Sequence, residues 1–294
     1  MTKNAYRFIR AHVFIAAALS VVAVIGCDDD KGTTPADPEG YLNANGMRGG
    51  QLYDKFWATE TGWNQADPNV ANYNSFADFF RCKQCHGWDL LGSEGAYISR
   101  GPRTSRPNVS PLDLISIAKD KSPQELFDAL KSSTGRRSVT ADLSTYNPST
   151  NSTTGDQMPD FSTIFTDDEF WDLVRFLKDE AVDVSTLYES QTTGTYPTGS
   201  IAYSNIGKAG NATNGDATFA SKCSACHGSD GTLILVDGDE FTIGSFLRAK
   251  PNEAQHKIKF GQLGSAMVSQ VTDNDDIKDL YKALTNATKY PDPQ

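Results

Sequence analysis

Positive charge is in short supply in this chain. Its 294 residues include 27 Lys and Arg against 37 Asp and Glu, which gives a formal net charge of −10 at pH 7. Residues 1–26 carry Lys3, Arg7 and Arg10 and no acidic residue, so the remainder is more acidic still. This balance disfavours binding to nucleic acids, whose phosphates attract basic surfaces. It suits either a protein partner with a basic docking patch or simple solubility.

Long apolar runs are also scarce. The one candidate, residues 13–25, follows the three basic residues and is too short to span a bilayer comfortably. This order predicts a secretory signal peptide over residues 1–26. An uncleaved anchor helix or a different cleavage site is the alternative, and both still place the rest of the chain outside the cytoplasm.

Two copies of one pentapeptide use four of the five cysteines and two of the four histidines. They are Cys82-Lys83-Gln84-Cys85-His86 and Cys223-Ser224-Ala225-Cys226-His227. Two thiols at this spacing can add to the two vinyl groups of one porphyrin, and the adjacent histidine can then bind the iron. The motifs therefore predict two covalently bound haem c groups, with His86 and His227 as axial ligands. Zinc half-sites, thioredoxin-like redox pairs or disulfides are the alternatives.

The fifth cysteine follows the apolar run. Val24-Ile25-Gly26-Cys27 resembles the bacterial lipobox, although Val24 and Ile25 depart from its usual residues. The resemblance implies lipidation at Cys27 and a periplasmic or cell-envelope lipoprotein anchored to a membrane. Export agrees with the motifs, because bacteria attach c-type haem after translocation.

The motifs divide the exported part into two halves. We expect a flexible tether over residues 27–44, a first domain over 45–184, a connector with a turn or short hairpin over 185–204, and a second domain over 205–294. Helix signals recur in the same order in both halves, and no strand pattern of similar length competes with them. The helix signals are the caps Ser122, Thr166 and Thr272, the helix-opening Pro251, and glycine-led helices that begin near Gly50 and Gly215. The fold class is therefore mainly α, with a polar insertion between the first glycine-led helix and Cys82.

Apart from tether and connector, the exported chain resembles two fused class I cytochrome c domains. In that family a methionine in the loop before the last helix is the second axial ligand, and the terminal helices cross behind the haem. The resemblance implies that Met158 and Met267 ligate the two irons. The first half departs from the pattern, because a long Ser/Thr/Asn-rich run, residues 144–154, lies between His86 and Met158. His256 is the competing ligand in the second half, but its place in the Pro-led helix predicts a surface position or a propionate contact.

These features favour an electron carrier over an enzyme. A dihaem cytochrome would pass single electrons between extracytoplasmic or membrane redox partners. A dihaem peroxidase-type enzyme is one alternative, although it needs an open iron and an acid–base group that the remaining histidines hardly provide. A cytochrome subunit of a larger respiratory or dehydrogenase complex is the other. Ligation of both irons by histidine pairs is excluded by count, since His86, His227 and His256 are the histidines outside residues 1–26.

Overall fold

The computed structural model describes residues 36–103, 106, 108–138 and 158–294. The predicted signal peptide, Cys27 and most of the predicted tether lie outside the described residues, as does the run 144–154. Residues 37–294 form one compact unit. In the ranges that are described, no helix is both long enough and apolar enough to cross a membrane.

Helices dominate both halves of this unit, as the sequence predicted. The first half contains α1 (Glu39–Asn43), α2 (Gly46–Lys55), α3 (Val70–Ser75), α4 (Ala77–Phe80), α5 (Lys83–His86), α6 (Leu114–Asp120), α7 (Pro123–Lys131) and α8 (Asp167–Arg175), which runs on into a π-helical turn, Phe176–Glu180. The second half contains α9 (Ala212–Lys222), α10 (Ser224–His227), α11 (Ile243–Ala249), α12 (Pro251–Phe260) and α13 (Asn274–Leu284). Between the halves lies an antiparallel hairpin, β1 (Glu189–Thr193) with β2 (Ser200–Ser204), in the segment expected to hold a turn or hairpin.

A pair of crossing helices closes each half, α2 with α8 and α9 with α13. In the first pair, Asn45 caps α2, and its backbone N–H donates to Asp172 Oδ1 at 2.6 Å. One turn further on, Gly49 lies so close to α8 that a Cβ there would be 1.9 Å from the carbonyl oxygen of Asp172. The second pair repeats this set of contacts with Asn211, Gly215 and Asp279, at the same two distances. The internal repeat therefore extends to individual hydrogen bonds.

Two of the three predicted caps, Ser122 and Thr166, begin helices. Ser122 and Thr166 each form a capping box with the glutamate three residues later, which satisfies N–H groups that have no partner within the helix. The prediction for Thr272 is wrong by one residue. Asp273 caps α13 instead, and its carboxylate accepts from the N–H groups of Asp275 and Asp276. A carboxylate at this position also interacts favourably with the helix dipole.

The core of the first half is aromatic. Phe56, fully buried directly after α2, has the rings of Trp57, Trp63, Tyr73 and Phe165 within 4.7–5.0 Å of its own ring centre. Two of these rings, Trp63 and Tyr73, come from the segment before Cys82 that we expected to be a polar insertion. That expectation is wrong for these two side chains, because they pack in the core. The insertion enlarges the core of the first half.

The packed unit also begins earlier than the predicted tether boundary at residue 44. Helix α1 lies against α8. Tyr41 is buried, and its hydroxyl donates to Asp179 Oδ2 at 2.6 Å. Gly40 lies directly beneath the Trp171 indole, where a Cβ would be 2.2 Å from Nε1. Residues 39–43 therefore belong to the folded unit because a tyrosine and a glycine fit onto α8.

Helix α12 joins the two halves. Although it belongs to the second half in sequence, Phe260 packs in the aromatic core of the first half, with its ring 5.4 Å from that of Phe176. Gln255 of the same helix donates to the Trp88 carbonyl oxygen at 2.7 Å. The two halves therefore share a buried interface.

Candidate functional site

The first Cys-x-x-Cys-His motif forms a single helical turn. The backbone N–H of His86 donates to the Cys82 carbonyl oxygen at 3.1 Å, which brings both ends of the motif together. Gly87 ends the turn with φ of +80°, a conformation that residues with a Cβ rarely adopt. Tyr53 of α2 donates to the Gly87 carbonyl oxygen at 2.6 Å. Helix α2 therefore helps to position the motif although it lies far upstream in sequence.

The second motif has the same local structure. The N–H of His227 donates to the Cys223 carbonyl oxygen at 3.0 Å, and Gly228 follows with φ of +79°. A glycine follows the histidine in both motifs, and the structure supplies the physical reason. After each motif the backbone must turn sharply away from the histidine, and this turn requires a residue with a positive φ.

One ring nitrogen of each motif histidine has no hydrogen-bond partner among the described residues. Nδ1 of His86 and Nδ1 of His227 are buried without a partner in the described part of the chain. Burial lowers the pKa of both imidazoles, that of His86 to about 4, with the charge of Arg136 as a further cause. The neutral ring is the form that binds a metal ion. These side chains therefore suit axial ligation in their electronic state as well as in sequence position.

The four motif cysteines form no disulfide within the described ranges. Burial raises the pKa of Cys82 to about 12 and that of Cys223 to about 11. Among the described residues, no group of three or more His, Cys, Asp or Glu side chains has the arrangement of a metal site.

A large cavity adjoins the second motif. Its volume is about 640 Å³, within the usual range of cofactor pockets. Its walls include all four predicted residues of the second site, namely Cys223, Cys226, His227 and Met267. The rest of the wall is largely apolar, with Phe219, Phe246, Leu247, Leu280 and Leu284. A flat apolar ring with covalent links at one edge and an iron at its centre fits these walls.

Three residues of the first half, Arg81, Lys83 and Trp88, also line this cavity. Sequence reasoning did not assign them to the second site. Lys83 is itself a residue of the first motif, and Trp88 follows that motif by two residues. Only the packing of the two halves brings them there, so the sequence contained no direct signal.

In the first half, Met158 lies beside the core that contains the motif. Met158 and Cys82 both pack against the first aromatic cluster. The Met158 carbonyl oxygen accepts from the N–H of Arg137 at 3.0 Å, which ties the methionine segment to the residues after α7. The ligand roles of Met158 and Met267 stay predictions.

The prediction for His256 is wrong in its first alternative, because this histidine is 1% exposed rather than at the surface. Its Nε2 lies 3.1 Å from the Gly50 carbonyl oxygen, and its ring lies 4.7 Å from that of Trp88. It is absent from the residues that line the cavity. The helical pattern did not reveal this, because α12 is buried against the first half as well as its own.

The crossed helices and the Cys-x-x-Cys-His turn define a small helical domain that holds haem through thioether links. Residues 74–180 match the family model described as cytochrome c. The chain therefore contains a cytochrome c domain, a domain that binds haem c and whose family transfers electrons. The matched segment includes Cys82, Cys85, His86 and Met158 but not the second motif. No curated protein and no solved structure matches the chain significantly.

Proposed function

We propose that the protein is a dihaem c-type cytochrome that passes single electrons between redox partners outside the cytoplasm. The observation that carries this proposal is the repetition of one construction. Each Cys-x-x-Cys-His turn accompanies a helix pair with the same Asn cap, the same glycine contact and the same aspartate acceptor. A repeat at this level supports a second haem domain, over residues 205–294, beside the cytochrome c domain of the first half.

When bound, haem c supplies an iron that gains and loses one electron. The chain's own residues hold it and set its surroundings. The four motif cysteines anchor it, and the buried, neutral imidazoles of His86 and His227 would bind iron on one side. Met158 and Met267 would bind on the other. Apolar side chains form most of the wall of the cavity beside the second motif, which would limit reorganisation when the charge on the iron changes.

Location and partners belong to the same proposal. Residues 1–26 would direct export, and Cys27 would carry the lipid that anchors the protein to a membrane. An acidic surface would dock with basic patches on protein partners and not with nucleic acid. Partners of this kind would deliver and accept electrons, and no substrate would bind.

Haem counting tests the proposal. We expect the exported wild-type chain to carry two covalent haems by intact mass and by haem absorbance. The pairs Cys82→Ser/Cys85→Ser and Cys223→Ser/Cys226→Ser should each leave one. Cys27→Ser is the matched control, since it removes the remaining cysteine; we expect it to keep both haems and to lose membrane attachment.

A single haem in the wild-type chain would contradict the dihaem proposal. Rapid peroxide turnover by the purified protein would instead favour the peroxidase-type alternative, and copurification with a catalytic subunit would favour the larger complex. Electron exchange with small redox proteins in the absence of either result supports the carrier.

A further inference from the structure

Lys83 is a buried lysine whose ammonium group forms no ion pair with the described residues. It stands between the two cysteines of the first motif and is 8% exposed. Its Nζ lies 4.3 Å from the centre of the Trp88 ring. Among the described residues, nothing forms a hydrogen bond or ion pair with this ammonium group. Its side chain instead lines the cavity beside the second motif.

Neighbouring charges are already engaged elsewhere. Lys257 of α12 lies on the same tryptophan, with Nζ 4.2 Å from the ring centre, and its ammonium is 3.7 Å from both Asp54 Oδ2 and Glu253 Oε1. Asp54 also pairs with Arg81. The two nearby carboxylates pair directly with Lys257 and Arg81 and act on Lys83 only at longer range. Among the described residues, Lys83 is therefore a buried lysine of the cavity wall with no ion pair.

An unpaired ammonium in a buried position is costly, since it has lost water without gaining an anion. Contact with the Trp88 ring compensates only in part. An anion on the occupant of the cavity would supply the missing ion pair. The anionic groups of haem c are its two propionate carboxylates. The Lys83 ammonium could donate a charge-assisted hydrogen bond to one of them.

We propose that Lys83, a residue of the first haem-attachment motif, binds a propionate of the second haem and raises its reduction potential. This inference rests on the proposed dihaem function. A positive charge near the iron favours the reduced state, which carries one more electron. The same lysine is linked through Cys82 and Cys85 to the first haem. A residue of the first motif thereby raises the reduction potential of the second haem.

The test is a redox titration of the full-length, haem-loaded protein, followed by proton NMR of the shifted haem and methionine signals. Signals that disappear in Met267→Ala identify the second haem. In Lys83→Met we expect the oxidised-to-reduced ratio of the second haem, at a given potential, to rise about tenfold, a shift of about 59 mV for one electron. Lys83→Arg should retain the wild-type potential.

Lys222→Met is the matched control, because Lys222 lines the same cavity but is exposed to solvent. Solvent screens its charge, and we expect little change. An unchanged second potential in Lys83→Met, a shift confined to the first haem, or an equal shift in Lys222→Met would overturn the inference. Lys83→Gln replaces Lys83→Met if that variant does not acquire both haems. A wild-type chain with one haem would refute the dihaem function itself, whereas two haems with unmoved potentials would refute only the role of Lys83.

Discussion

The proposed axial ligation depends on two single methionines, Met158 and Met267. The backbone of Met267 is held on both sides, since its N–H donates to Ser265 Oγ at 3.1 Å and its carbonyl oxygen accepts from Gln262 at 2.8 Å. Its side chain is partly buried on the wall of the cavity. Because the backbone is already held here, binding of iron by this thioether would cost mainly side-chain entropy.

Replacement of these methionines gives a spectroscopic prediction. Met267→Ala and Met158→Ala should each remove the long-wavelength methionine-to-iron charge-transfer band of one oxidised haem and lower its potential, because thioether ligation raises haem potentials. Absorbance and magnetic circular dichroism measure the band. Met47→Ala is the control, since Met47 also packs partly buried beside the first core. A band unchanged in either ligand variant would refute that assignment.

At the scale of elements, the crossing helix pairs decide whether each half holds its shape. Both crossings are as close as they are because a glycine meets a backbone carbonyl oxygen, with no side chain between them. Backbone cannot move aside as a flexible side chain can. In α2 and in α9, the position most sensitive to substitution is therefore the glycine at the crossing, Gly49 or Gly215.

We expect Gly49→Ala and Gly215→Ala each to lower the free energy of unfolding by about 2 kcal/mol, since the added methyl group overpacks the crossing. Alanine is the better helix former, so helix propensity alone predicts the opposite sign. Urea unfolding of the haem-loaded protein, followed by circular dichroism, measures the change. Asn214→Ala, at an exposed position of α9, should be nearly neutral. Increased stability in both glycine variants would refute the close crossing.

At the scale of the whole molecule, a buried charge cluster holds the two halves together. Asp54 of α2 is 1% exposed and pairs with Arg81 of its own half and with Lys257 of the other. Burial opposes its ionisation, but the charges of Lys257 and Arg81 outweigh burial and lower the pKa of Asp54 to about 2. The cluster therefore stabilises the folded state as long as Asp54 is ionised.

The sign of the pH effect follows from this lowered pKa. Stability from Asp54 is complete above its ordinary pKa of 3.8, amounts to about 2 kcal/mol, and disappears as the pH falls towards 2. Asp54→Asn should cost about 3 kcal/mol at pH 7, because it leaves the buried Lys257 and the partly buried Arg81 without their shared anion.

Urea unfolding at several pH values measures this difference, which should shrink on acidification. Asp292→Asn, at the exposed partner of Arg248, is the control and should change stability by less than about 0.5 kcal/mol. If the difference in unfolding free energy between wild type and Asp54→Asn stays constant down to pH 2, ionised Asp54 does not stabilise the interface between the halves.

Much of this protein was predictable from local sequence. Four features follow from residues close together in the chain. They are the haem-attachment motifs, the mainly helical class, the capping boxes at Ser122 and Thr166, and the hairpin between the halves. Covalent chemistry and helix capping act over a few residues, so short patterns are sufficient to predict them. The error at Thr272 is one residue, where two adjacent residues could both cap.

The sequence by itself determined which groups can attach haem and which helices form, because those properties depend on near neighbours. Only the tertiary structure decided that His256 is buried against Gly50, that the segment before Cys82 enlarges an aromatic core, and that Lys83 and Trp88 line the cavity of the other half. These contacts join residues far apart in the chain, and their stability comes from burial and charge pairing at the interface between the halves. The periodicity of apolar residues along one helix does not predict which surface of another helix it will pack against.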